Sequence, residues 1–224
     1  MAYAIGRVGS SATMGLLKLA GINMEEVSLK KTTMNPKGGF ESPLLAKFLD
    51  STFKGIYGST AAPPPMKVVS DITRKSHEAY FKIHDKVFNK KYLIEVKSPR
   101  MLLVPYFSRS SDEFDTKVIV LQRDPILQMR SILKVWNEDP ERKEITNEAY
   151  IVNYLRVWTN FLNKAKEKYD TLEYLDVDFE AVVARPYQTM KKISEFIGVE
   201  CPDERPIKEW IDPTLVNRKV NTLM

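Results

Sequence analysis

Short runs of consecutive apolar residues alternate along this chain with longer stretches in which apolar positions recur every three or four residues. The short runs predict strands at Tyr3–Ile5, Tyr92–Val96, Val118–Leu121 and Leu172–Val177. The longer stretches predict helices. Ala12–Ala20 carries Leu16, Leu17 and Leu19 and is stopped by Gly21. Pro43–Phe53 sets Leu44, Leu45, Phe48 and Leu49 on one face. Ser70–Phe88 follows Ile72, Ala79, Tyr80, Ile83 and Val87. Asp124 is placed to cap a helix that opens at Pro125 and runs to about Trp136. Thr146–Lys168 would bury Ile151, Tyr154, Leu155, Trp158, Phe161 and Leu162. Pro186–Ile197 closes at Gly198, ahead of a proline-rich tail. Between these elements, Asn35–Gly39 reads as a turn. Gly58–Met66, with its three successive prolines, reads as a stiff extended loop, and Asp139–Lys143 as a charged linker. Strands alternating with helices predict an α/β fold with a mostly parallel central sheet flanked by helices. With no internal repeat and no dividing linker, residues 1–224 read as one domain.

Composition narrows the partners. The hydrophobic fraction of 43% and charged fraction of 28% are those of an ordinary globular protein. A net charge of +5 suits an anionic ligand, but without an arginine-rich run it is too mild for nucleic acid. No apolar stretch approaches the roughly 20 residues that span a bilayer, and the N-terminus lacks a secretory leader pattern. The single cysteine, Cys201, has neither a disulfide partner nor a zinc-type cluster around it. The expectation is a cytoplasmic protein with no membrane span, no nucleic-acid partner and no metal.

The chemistry concentrates in two strand-to-helix transitions. The first is Gly6-Arg7-Val8-Gly9-Ser10-Ser11-Ala12-Thr13. Free N–H groups at a helix start, glycines that permit close approach, and hydroxyls from Ser10, Ser11 and Thr13 make an anion site. Without a Gly-Lys-Ser/Thr it is not a Walker A loop, and a turn that merely caps a helix is the plainer alternative. The second is Val118-Ile119-Val120-Leu121-Gln122-Arg123-Asp124-Pro125, with Ser131 eight residues beyond Arg123. Arg123 would stand at the carboxyl edge of the sheet, where open α/β sheets bind ligands. Two such sites suggest one ligand with two separated phosphate groups.

In this combination the chain resembles the sulfotransferases that use 3′-phosphoadenosine 5′-phosphosulfate (PAPS). Arg123, Pro125 and Ser131 match the family's Arg-x-Pro strand end and its later serine. Gly15–Ile22 is similar to the family's first helix, and Asn35–Glu41 to the Asn-Pro-x-Gly-aromatic-Glu segment of a bacterial branch. Val96-Lys97-Ser98-Pro99-Arg100 is similar to that branch's Lys-Asp-Pro-Arg and to the Lys-Ser/Thr-Pro of carbohydrate sulfotransferases. Asp178-Phe179-Glu180, Arg185-Pro186, Phe196–Val199 and Ile211–Leu215 resemble the remaining family segments. One departure stands out. Where the family carries Arg or Lys before Ser-Gly-Thr, this chain has Gly9-Ser10-Ser11-Ala12. Either Arg7, two positions earlier, takes over that cation's role, or the loop is weakened.

The resemblance implies a P-loop NTPase-like sulfotransferase architecture and transfer of a sulfuryl group from PAPS to a hydroxyl or amine of a small-molecule or carbohydrate acceptor, without a metal. The first loop, Gly6 to Thr13, would hold the 5′-phosphosulfate, and Arg123 and Ser131 the 3′-phosphate. Arg218 and Lys219 are tail candidates for closing over that phosphate. Lys97 and Arg7 are the electrostatic candidates at the transferring group. Glu41 is the candidate general base, raised in pKa if its carboxylate is desolvated in a cleft. His77 and His84 match no family histidine and read as structural. Asp176, Asp178 and Glu180 read as a strand end and a helix cap rather than a metal cluster. Trp136 and Trp158 read as core. A small-molecule kinase of P-loop type and a nucleotide-binding relative without turnover are the alternative functions.

Overall fold

The computed structural model describes residues 2–4, 7–22, 28–29, 39–40, 43–53, 63–87, 95–97, 105–106, 108, 116–137 and 147–211. In chain order its elements are β1 (Ala2–Ala4), α1 (Ser10–Leu19), β2 (Ser28–Leu29), β3 (Gly39–Phe40), α2 (Pro43–Thr52), α3 (Met66–Val87), β4 (Glu95–Lys97), β5 (Lys117–Gln122), α4 (Pro125–Asn137), α5 (Glu148–Lys168), β6 (Glu173–Asp178), α6 (Phe179–Ala184), α7 (Pro186–Ile197) and α8 (Glu204–Trp210).

Four of these strands form one parallel sheet in the order β4-β1-β5-β6. Ala4 is level with Lys97 on one side and Leu121 on the other, and Leu121 is level with Val177. The unbroken apolar run Val118–Leu121 is fully covered, as a strand in a parallel sheet with helices on both faces requires. Val118 and Val120 enter a core with Phe48, Leu49, Tyr80, Ile132 and Trp158 from α2 to α5. Ile119 and Leu121 enter a second core with Leu16, Leu17, Phe179, Met190 and Ile207 from α1 and α6 to α8. The α/β expectation therefore holds. β2 and β3 form a separate antiparallel pair.

Helix boundaries follow local chemistry. α1 ends in a Schellman motif: Gly21 N–H bonds to Lys18 O and Ile22 N–H to Leu17 O, at 3.1 and 3.2 Å. Asn147 caps α5 by accepting from Tyr150 N–H. Three expectations need correction. The segment read as a proline-rich tail contains α8, anchored by buried Ile207. Leu44 is 43% exposed although it lies one turn from Phe48; among the described side chains of residues 43–53, Phe48, Leu49 and Phe53 are the buried ones. Ala79 is exposed, because α3 buries the arc through Val69, Thr73 and Tyr80. The turn at 35–38, most of the proline loop and the 139–143 linker lie outside the described residues. Among the described residues, no helix is long and apolar enough to cross a membrane.

Candidate functional site

β1 and β5 are neighbours, and within this sheet the chain leaves them in opposite directions: the next strand of the sheet after β1 is β4 on one side, and the next after β5 is β6 on the other. Such a switch point opens a crevice at the carboxyl ends of the strands. Both sequence-predicted loops start there.

The first loop is built on two left-handed residues. Arg7 has φ 69° and Gly9 has φ 76°. Gly9 precedes the first helical residue, and its carbonyl accepts from Ala12 and Thr13 N–H, both at 3.1 Å. Position 9 strongly favours glycine. Its φ is unfavourable for a side chain, and a Cβ there would overlap the ring of Phe179. Val8, Ser10 and Thr13 are buried, while Ser11 and Ala12 are half-buried. Thr13 donates its hydroxyl proton to Gly9 O at 3.3 Å, so that donor is committed within the turn. On the far side of α1, Trp210 of α8 donates from Nε1 to Ala12 O at 2.8 Å. Its ring occupies the space a Cβ on Gly15 would take.

The second loop is held by Asp124, whose Oδ1 accepts from Ile126 and Leu127 N–H at 2.9 Å each. Pro125 is the first helical residue. The cap fixes Arg123 between the last residue of β5 and the start of α4. The Arg123 side chain is only 8% exposed. It donates from Nη1 to Arg7 O at 3.0 Å, lies 5.0 Å over the Phe179 ring and meets Glu180 with Nε 3.5 Å from Oε1. Ser131, buried on α4, accepts from Arg7 Nε at 3.2 Å. The fold thus brings Arg7, Arg123 and Ser131 together from two distant segments.

The electrostatics set two largely buried guanidiniums side by side. Burial holds the Arg7 guanidinium below its ordinary pKa, and the charge of Arg123 pushes the same way. Burial lowers Arg123 too, opposed by the carboxylates of Glu180 and Asp124. Among the described residues no carboxylate pairs with Arg7. Two desolvated cations side by side are costly unless an anion sits against them.

Lys97 is the last residue of β4, paired with Ala4 in register, so its backbone belongs to the same carboxyl edge. Gly6, Glu41, Arg218 and Lys219 lie outside the described residues. His77 packs against Phe81 of its own helix, ring centroids 4.5 Å apart and tilted by 51°. Asp176 accepts from Gln122 and Lys166, and Asp178 precedes α6 without a side-chain cap bond. Among the described residues no group of three or more His, Cys, Asp or Glu is gathered for a metal.

Sequence reasoning missed the roles of Phe179 and Glu180. Their signal was present: an aromatic and a carboxylate directly after a strand whose neighbour ends in Arg123. What it lacked was the β5–β6 pairing, which sets Asp178 level with Gln122 and so carries the next two residues to Arg123.

Residues 70–203, well over half of the chain, match the family model described as the sulfotransferase family. The matched stretch includes Lys97, Arg123, Ser131 and Glu180 and excludes the first loop. Neither a curated protein nor a solved structure gives a match.

Proposed function

The chain belongs to the sulfotransferase family, and from that premise we propose that it transfers a sulfuryl group from PAPS to a hydroxyl or amine of a small-molecule or carbohydrate acceptor. In this reading the parallel order β4-β1-β5-β6, with a loop and helix following β1, is the P-loop NTPase-like sulfotransferase architecture, and residues 1–224 act as one domain. The observation that carries the proposal is the joining of Arg7, Arg123 and Ser131 at the switch point.

PAPS supplies a sulfuryl group activated on a 5′-phosphate, together with a second phosphate at the 3′ position. Backbone N–H groups at the start of α1, with Gly6, Val8, Gly9, Ser10, Ser11 and Ala12 around them, serve the 5′ end, while Thr13 braces the turn through Gly9. Arg123 and Ser131 serve the 3′-phosphate, and Arg218 and Lys219 close over it. Arg7 gives the first loop its one cation. Lys97 neutralises charge on the transferring group and the departing phosphate. Glu41 takes the acceptor's proton as the acceptor–sulfur bond forms and the bond from sulfur to the 5′-phosphate oxygen breaks, releasing adenosine 3′,5′-bisphosphate.

Calorimetric titration with adenosine 3′,5′-bisphosphate, beside ADP and ATP with Mg²⁺, tests the ligand. Preference for the bisphosphate without Mg²⁺ is expected; preference for ATP with Mg²⁺ would point to a kinase instead. One observation favours a second reading, a nucleotide-binding protein without turnover: Gly9 stands where relatives carry a cation, and Arg7 reaches Ser131. Release of the bisphosphate from PAPS in an acceptor screen separates the two.

A further inference from the structure

Building on the sulfotransferase reading, we infer that Arg7 reads the second phosphate of the donor: with Arg123 and Ser131 it selects for a nucleotide that carries a 3′-phosphate, rather than acting at the sulfuryl group. The side chain leaves the first loop and crosses the β1–β5 seam, donating from Nε to Ser131 on α4. The backbone faces the same way. With φ 69°, Arg7 turns its carbonyl to Arg123 Nη1. Nε is thereby committed, while a guanidinium keeps further N–H groups for a ligand oxygen.

Charge matching gives the same answer. A phosphate monoester concentrates close to two negative charges on one group at neutral pH, whereas the 5′-phosphosulfate spreads its two over a phosphate and a sulfuryl group. Two guanidiniums beside a serine hydroxyl match the former. Glu180 forms an ion pair with Arg123, and no carboxylate among the described residues pairs with Arg7, so the cluster keeps an excess of positive charge. Planar, forked donors are the side chains best suited to phosphate oxygens.

The test uses three ligands: adenosine 3′,5′-bisphosphate, adenosine 3′-monophosphate and adenosine 5′-monophosphate. Each is titrated into the wild-type chain, Arg7→Asn and Arg7→Lys. Asparagine tolerates the left-handed backbone, and lysine keeps the charge but loses the fork, so at least one folded variant is expected. Arg7→Asn should weaken both 3′-phosphorylated ligands about 10- to 100-fold and leave the 5′-monophosphate within about twofold. Arg7→Lys should fall between. Equal losses for the 3′- and 5′-monophosphates, or a larger loss for the 5′ compound, would overturn the assignment while leaving the sulfotransferase reading in place. A wild-type chain with no preference for the bisphosphate over the 5′-monophosphate would overturn both.

Discussion

Arg123 donates from Nη1 to the backbone carbonyl of Arg7 at 3.0 Å, so the cation of one strand-to-helix loop is fixed by the main chain of the other. Arg123→Ala removes a buried cation that such an anion needs, an effect of about 2–5 kcal/mol, or roughly 30-fold and more in affinity. Calorimetry with adenosine 3′,5′-bisphosphate should record that loss. The thermal midpoint should move little, because the abandoned Glu180 is 45% exposed and rehydrates. Unchanged affinity would remove Arg123 from the site.

Glu180 faces Arg123 at 3.5 Å and accepts from Asp124 N–H at 3.4 Å, so it places a negative charge beside the proposed phosphate site. Glu180 is 45% exposed while the Arg123 side chain is buried, and water at the carboxylate screens the pair, so it contributes about 1 kcal/mol to stability. Glu180→Gln should therefore leave the fold intact and tighten bisphosphate binding several-fold, with a steeper dependence on salt. Weaker binding would mean that its orienting role dominates.

Gly9→Ala should cost about 2–4 kcal/mol in denaturant unfolding, from the left-handed φ and the overlap with Phe179. In a Phe179→Leu background part of that cost should vanish, because the overlap term is relieved and only the backbone term stays. Simple additivity of the two substitutions would show that the ring is not what excludes a side chain.

Lys97→Ala should lower turnover about 100-fold and change bisphosphate affinity little, since its proposed partner is the transferring group rather than the 3′-phosphate. A wild-type rate would reject the role. Glu41→Gln should abolish the acidic limb of the rate profile, and an unaltered profile would place the base elsewhere.

Stability should fall above about pH 10, where tyrosine in the unfolded chain loses its proton. Burial raises Tyr80 well above that value, and it raises Tyr106 and Tyr174 as well. The folded state keeps protons that the unfolded state has released, so the unfolding free energy declines with pH through this window and is level below it. Thermal melts from pH 8 to 11 should trace the decline, and Tyr80→Phe should flatten it. An identical slope in the variant would mean that Tyr80 titrates normally.

Much of this was legible in the chain. The uninterrupted Val118–Leu121 run announced a strand covered on both faces, and Asp124-Pro125 announced the helix that carries Ser131. These signals are local, because they depend on periodicity and on caps formed within a few residues. The partnership of Arg7 with Ser131 was not legible. It depends on β1 lying between β4 and β5, and no pattern near Arg7 encodes that order. Phe179 was hidden for the same reason: an aromatic after a strand reads as core, and it is core, but its ring also decides what can stand at position 9. Leu44 misled because amphipathic spacing marks a face without marking how far its cover extends.

The order of the sheet also governs when the protein can assemble. β1 sits between two strands that follow it by about ninety and more than a hundred residues. A nascent chain therefore holds its first strand and first ligand loop unsatisfied until β5 has left the ribosome, and Arg123 waits further for Phe179 and Glu180. Pairing over such separations makes folding slow relative to helical proteins of this size. It also leaves a partly made sheet exposed to association with other chains, and any shortened form ending before residue 122 would lack the partners that Arg7 meets at Arg123 and Ser131.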